Sequence, residues 1–165
     1  MHRLNYFLVA LAFLFLCACQ DYDFKVNEKI VYAPIPLFRD FSTPDPGLTR
    51  CLEQAINDGA ITAAQQLTSI DCSFAGIESV EGLATFNALI ALRLSSNQVR
   101  NLVEINKLAA LEVLYLDDNQ VIDPVPLYAL RALRYLDLSG NQALQCPKEG
   151  NLEQLETLVL PKHCN

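Results

Sequence analysis

The chain has 165 residues, 19 acidic against 12 basic side chains, a formal charge of −7, 52% hydrophobic and 8% aromatic content. Such an acidic, aromatic-poor chain disfavours nucleic acid, which requires a basic footprint, and it disfavours lying flat on an anionic membrane. Its length leaves room for one domain after a leader.

The first residues carry a short basic start (His2, Arg3) and an apolar run from Tyr6 to Leu16. About 11 apolar residues are too few for a spanning helix, which needs roughly 20, and the pattern is that of a secretory signal peptide. The following Leu16-Cys17-Ala18-Cys19 resembles a bacterial lipobox, with small Ala18 before the cysteine. That resemblance implies a leader over residues 1–18 and lipidation at Cys19, with the protein held to a membrane of the bacterial cell envelope by its acyl chains. Gln20 in place of Asp after the cysteine favours, by analogy, an outer membrane and a periplasmic face. Losing Arg3 with the leader would leave eleven basic against nineteen acidic residues, a charge of −8.

Residues 19–44 read as a lipid-anchored tether and N-terminal flank, polar and acidic at Gln20-Asp21-Tyr22-Asp23 and punctuated by Pro34, Pro36 and Pro44. The stretch from Ile30 to Phe41 is too apolar for a free linker and is expected to lie along the first coil or the flank of the domain that follows. Residues 45–66 read as a helical cap. Asp45 is placed as N-cap and Pro46 at the first helical position, Leu48, Leu52, Ala55 and Ile56 share one face, and Asp58-Gly59 ends the helix.

From Leu67 onward a leucine ladder repeats every 22 residues through five registers. The clearest unit holds Leu89, Leu92, Leu94, Asn97, Val99, Leu102, Ile105 and Leu108. Its successors hold Leu111, Leu114, Leu116, Asn119, Val121, Pro124, Leu127 and Leu130, then Leu133, Leu136, Leu138, Asn141 and Ala143, then Leu155, Leu158 and Leu160. A degenerate first unit holds Leu67, Ile70, Cys72, Ile77, Val80, Leu83 and Phe86. L-x-L is the period-2 pattern of a short strand burying alternate side chains. The Asn sits where the chain turns inward and can satisfy backbone groups of its own and the neighbouring coil. The spacing of three that follows fits 3₁₀ turns, and Pro124 and Pro126 argue against a continuous helix. One coil cannot bury its own stripe, so coils must stack.

This period and the L-x-x-L-x-L-x-x-N signature resemble the bacterial 22-residue leucine-rich repeats of the internalin type, over 67–165, and the layout resembles that of small envelope lipoproteins. The resemblance implies a short right-handed α/β solenoid with a parallel sheet on its concave face, an irregular 3₁₀ convex side and an N-terminal capping helix. Ala75 and His163 stand where the Asn is expected in the first and last repeats, so the ladder is not assumed there.

With Cys17 removed and Cys19 acylated, Cys51, Cys72, Cys146 and Cys164 remain, and four cysteines allow three pairings. Cys51 on the capping helix and Cys72 at an inward strand position would staple the first coil. Cys146, in the inward slot used by Leu102 and Pro124, and Cys164 would hold the last. Buried free thiols are the alternative. His163 beside Cys164 is read as part of that terminal cap, not as a metal ligand, since no zinc spacing is present. Asp117, Asp118 and Asp123 read as solvated turn charges, and exposed Asp118 is expected to tolerate alanine. No phosphate loop, nucleophile elbow or dinucleotide fingerprint occurs, so neither an enzyme, a cofactor nor a small-molecule substrate is expected.

Function then falls on the outward residues of the sheet. Arg93, Tyr115, Asp117, Tyr135 and Asp137 converge on neighbouring strands and form the candidate surface for a protein or peptide partner, with the carboxylates selecting Lys or Arg. Five strands about 4.8 Å apart and three rows give roughly 350 Å², short of the roughly 800 Å² per partner of a standard interface. The candidate is therefore a membrane-anchored binding scaffold. The alternative is a structural or adhesion lipoprotein maintaining the envelope without a discrete partner.

Overall fold

A computed structural model describes residues 24–26, 29–32, 35–148 and 150–164. The expected leader at 1–18 and the expected lipidation at Cys19 lie outside the described residues. The chain divides into two compact units, Met1–Pro36 and Leu37–Asn165. In the first, strands β1 (Phe24–Val26) and β2 (Lys29–Tyr32) form an antiparallel hairpin with an irregular register after Phe24, within the stretch expected to be a tether.

The second unit includes residues 37–44, which hold the end of the apolar stretch expected to lie along the first coil or flank. Phe38 donates its backbone N–H to the Ile61 carbonyl at 2.8 Å. Phe38 and Phe41 meet the buried Phe86 edge-on, with ring centroids 5.8 and 5.5 Å away. The same segment crosses Gly82, where a Cβ would stand 2.2 Å from the Ser42 carbonyl oxygen, so a side chain at 82 would expel it.

Helix α1 spans Pro46–Asp58 and turns Leu48, Leu52 and Ile56 into the core. The Asp45 Oδ1 accepts from the Leu48 N–H at 3.0 Å, the expected N-cap. Its Oδ2 accepts from the N–H groups of Glu78 and Ser79 at 2.8 and 3.0 Å, which ties the helix to the first coil. Burial pushes the Asp45 carboxyl up, but the N–H groups of Leu48, Ser79, Glu78 and Gly47 outweigh it and hold it below its ordinary value. A depressed carboxylate stabilises the fold above the unfolded-state pKa of about 3.9, and that contribution is lost as pH falls through the lower folded value. Asp45→Ala is expected to lower the unfolding free energy by about 2 kcal/mol at neutral pH, from the lost cap and the N–H groups left without an acceptor. The difference from wild type should shrink as urea denaturation is repeated at progressively more acid pH. A difference that grew on acidification would contradict this assignment.

Five three-residue strands follow: β3 (Ser69–Asp71), β4 (Ala91–Arg93), β5 (Val113–Tyr115), β6 (Tyr135–Asp137) and β7 (Thr157–Val159). They form one parallel sheet in chain order. Each residue pairs with the residue 22 positions on, as in Ile70↔Leu92 and Leu114↔Leu136. The central residues Leu92, Leu114 and Leu136, and Leu94, Leu116 and Leu138 beyond them, are fully buried. Opposite the sheet, 3₁₀ turns at Leu83–Thr85, Ile105–Lys107 and Val125–Ala129 repeat the same bonds, Phe86 N–H to Leu83 C=O, Leu108 to Ile105 and Leu130 to Leu127. The expected solenoid, with its alternating strand and 3₁₀ sides, is what forms.

The buried asparagines explain how the coils bond to one another. Asn119 accepts from the Val99 N–H through Oδ1 and donates through Nδ2 to the carbonyls of Leu94, Leu116 and Asp117, at 2.8 to 3.2 Å. Asn97 and Asn141 repeat the bridge one coil earlier and later. At the ends, Ala75 has only its backbone N–H bonded to Asn97, while the His163 imidazole Nε2 lies 2.9 Å from the Leu144 carbonyl oxygen.

Two details depart from the burial that the repeat leads one to expect. Ala143 is exposed where Val99 and Val121 are buried, and Leu144, one residue later, is only 3% exposed. A methyl group underfills a valine slot, and shifting by one residue supplies a leucine instead. Cys146, expected to point inward, is consequently exposed. Leu158, on β7, is 37% exposed, since no further coil among the described residues packs against that strand.

Sulfur links close both ends: Cys51 to Cys72, 21 residues apart, and Cys146 to Cys164, 18 apart. Loops of this size contribute roughly 3 kcal/mol each in the chain-entropy model.

Candidate functional site

The period-2 rule that buries Leu92, Leu114 and Leu136 turns their neighbours outward. The register aligns Asp71, Arg93, Tyr115 and Asp137 in one row and Ser69, Ala91, Val113 and Tyr135 in the row before. Tyr115 and Tyr135 therefore meet diagonally, with ring centroids 4.7 Å apart and planes tilted by 36°. The Arg93 Cζ lies 3.9 Å from the Tyr115 ring centroid, a cation–π contact. Arg93 is exposed while both tyrosines are half-buried, so the stack is ordered yet accessible.

Serines hold the surrounding carboxylates. Ser139 donates to Asp137 Oδ1 from both its hydroxyl and its N–H, at 2.7 and 2.9 Å. Ser95 donates its hydroxyl to Asp117 Oδ1 at 2.6 Å, and Ser73 does the same to Asp71. The Ser73 hydroxyl is the chief reason the Asp71 carboxyl is held below its ordinary value, with further help from the Ser73 N–H and Arg93 against the opposing effect of burial. Among the described residues each of these three carboxylates leaves Oδ2 without a hydrogen-bond partner. Burial above all, with the neighbouring Tyr115, Asp137 and Asp117, raises the Tyr135 phenol above its ordinary value.

The structure brings together all five residues singled out from the sequence: Arg93, Tyr115, Tyr135, Asp117 and Asp137. The serine props were not foreseen, although Ser73, Ser95 and Ser139 stand in one repeat column. A second column also escaped notice. Phe74, Ser96, Asp118 and Gly140, again 22 apart, all have positive φ, at 57°, 55°, 51° and 75°. The chain needs a left-handed residue there to leave the strand, and Gly140 is the visible clue. A Cβ at 140 would lie 2.1 Å from Asp118 Oδ1. Phe74, in this column, is 81% exposed.

Of the three aspartates read as turn charges, Asp117 accepts from the Ser95 hydroxyl and Asp123 accepts from the Val125 N–H at 2.9 Å. Cys146, His163 and Cys164 place two sulfurs and an imidazole nitrogen within 4.8 Å of one another, but the sulfurs are bonded to each other. Two open grooves lie off the sheet face. One of about 420 Å³ sits between helix α1 and β3, and one of about 510 Å³ is lined by Arg100, Gln120, Ile122 and Gln142. No helix among the described residues is long and apolar enough to cross a membrane.

No protein-family model matches the chain, and no curated protein matches it. Solved structures do. The chain is similar to an internalin, InlF, from Listeria monocytogenes, at 22% identity and a TM-score of 0.62, over 72% of this chain and 37% of that one. It is also similar to internalin C2 of the same organism, at 20% identity and a TM-score of 0.59, over 71% of this chain and 64% of that one. The chain spans well under two thirds of the length of the first and just short of two thirds of the second.

Proposed function

Taking as its premise that the chain is a leucine-rich-repeat protein with the internalin coil, we propose that it is a bacterial envelope lipoprotein whose sheet face binds a protein or peptide partner. The observation that carries this reading is the ordered stack of Arg93, Tyr115 and Tyr135 beside Asp117 and Asp137. Tyrosine and arginine are enriched among residues that dominate binding energy. Here their rotamers are already fixed by mutual contact, so little entropy remains to be lost on binding. The carboxylates, each keeping an oxygen free, select a segment bearing Lys or Arg.

Tyr115→Ala combined with Tyr135→Ala should abolish capture of partner proteins from solubilised envelopes. The stacked rings make this double change cost about 1 kcal/mol of stability, which leaves the fold intact. Asp137→Lys should mainly slow association and weaken its salt dependence. If the double tyrosine variant retained the wild-type set of captured proteins, the face would be only solvated and a structural or adhesion role would stand instead.

Anchoring rests on the Leu-Cys-Ala-Cys resemblance. Mass spectrometry of the membrane-extracted protein should find an acylated N-terminal Cys19, and Cys19→Ser should move the protein to the soluble fraction. More than one acyl chain, at about 0.8 kcal/mol per buried CH₂, accounts for stable retention. An unmodified N-terminus would remove the lipoprotein part of the proposal and leave the binding part standing.

A further inference from the structure

Phe74 occupies a position that suits it poorly. The left-handed backbone recurring at this point of each coil carries Ser96, Asp118 and Gly140 elsewhere, residues that are small, short and polar, or free of a Cβ. A bulky side chain is disfavoured there. The other phenylalanines of the solenoid unit, Phe38, Phe41 and Phe86, pack against one another, whereas Phe74 is 81% exposed. It therefore bears both an unfavourable backbone and a largely hydrated ring, with little packing among the described residues to offset them.

Resting on the sheet-face reading above, we infer that Phe74 is a second anchor of the same surface. The partner is then an extended basic segment running diagonally from the Tyr115–Tyr135 stack to Phe74, with an apolar side chain set against the Phe74 ring. Tyr135 shares its row with Ser69, and Phe74 lies five residues further along the first coil, three strands away. At about 3.3 Å per residue and 4.8 Å per strand the diagonal is at most about 22 Å, since the chain turns at Phe74, within the reach of about six or seven extended residues. The free oxygens of Asp71 and Asp117 flank this line and Arg93 lies close to it; the carboxylates of Asp71, Asp117 and Asp137 outnumber the one guanidinium, which is the complementarity that calls for Lys or Arg between the two aromatic ends. The extension also answers the shortage of area, because one aromatic side chain adds on the order of 150–250 Å² to a surface of roughly 350 Å².

The test is selection of a displayed random heptapeptide library on the immobilised, disulfide-bonded full chain, followed by affinity measurement on wild type, Phe74→Gly and the double tyrosine variant. The expected peptides carry Lys or Arg at a fixed spacing from an apolar residue. They should lose at least tenfold in affinity on Phe74→Gly and all measurable binding on the double variant. Phe74→Gly should meanwhile melt at the wild-type temperature or above, because glycine adopts the left-handed backbone freely. Peptides that bind Phe74→Gly as tightly as wild type but fail on the double tyrosine variant would overturn this inference and leave the sheet-face reading intact. Peptides indifferent to both, or no enrichment, would overturn both. A clear fall in melting temperature would show Phe74 to be a packing residue and would also overturn the inference.

Discussion

Replacing Asn119 with alanine is expected to lower the unfolding free energy by about 3 kcal/mol, from one orphaned buried N–H and the lost bonds to three carbonyls. The side chain is 7% exposed and bonds the backbone of two coils at once, accepting from Val99 and donating to Leu94, Leu116 and Asp117. Alanine leaves the buried Val99 N–H without an acceptor, at about 1–3 kcal/mol, and removes one donor each from the carbonyls of Leu94, Leu116 and Asp117, which keep Asn97, Asn141 and the Ser96 N–H as partners. Domains of this kind are stable by only about 5–15 kcal/mol. The stack is quasi-one-dimensional, and weakening its central interface should also loosen cooperativity, giving a broadened or two-stage urea transition. Exposed Gln120→Ala, one residue on, should stay within about 0.5 kcal/mol. A loss below about 1 kcal/mol for Asn119→Ala would mean that water takes over the bridge.

Leu116→Ala should lower stability by about 2–5 kcal/mol, as large-to-small core changes do. Leu116 is fully buried between coils, and a cavity in the middle of the stack has rigid neighbours on both sides. The control needs more care than the sequence suggests. Asp118 is exposed, but its φ of 51° makes alanine unfavourable, so Asp118→Ala should itself cost about 1 kcal/mol. Asp118→Gly, which relieves the backbone, should be neutral or stabilising. Chemical denaturation of the three variants separates the effects: similar losses for Leu116→Ala and Asp118→Gly would mean that the inward face is wrongly assigned.

Most of the architecture is legible in the chain because a solenoid converts sequence separation directly into spatial adjacency. Once the 22-residue period is seen, Leu92, Leu114 and Leu136 must stack, and Tyr115 and Tyr135 must fall on adjacent strands. Asp45 and Pro46 announce the start of helix α1 by chemistry that acts over one turn. The site is legible to the same extent. Its membership follows from register, and the sulfur links follow from which coils the cysteines occupy.

What only the tertiary structure decided are interactions that the period does not encode. The reach of Asp45 Oδ2 to Glu78 and Ser79 spans 33 and 34 residues outside the repeat. That the apolar stretch, expected to lie on the solenoid, docks through Phe38 and Phe41 on Phe86 in particular is likewise outside the period. The one-residue shift at Ala143 exposes Cys146, because filling a slot to native density overrode the register. The left-handed column at Phe74, Ser96, Asp118 and Gly140 is written in backbone angles, and four dissimilar side chains conceal it. Repetition by itself determined which residues are neighbours; how each side chain meets its neighbour, and which one is left facing water, depended on volume and on backbone angle, which only the folded coil supplies.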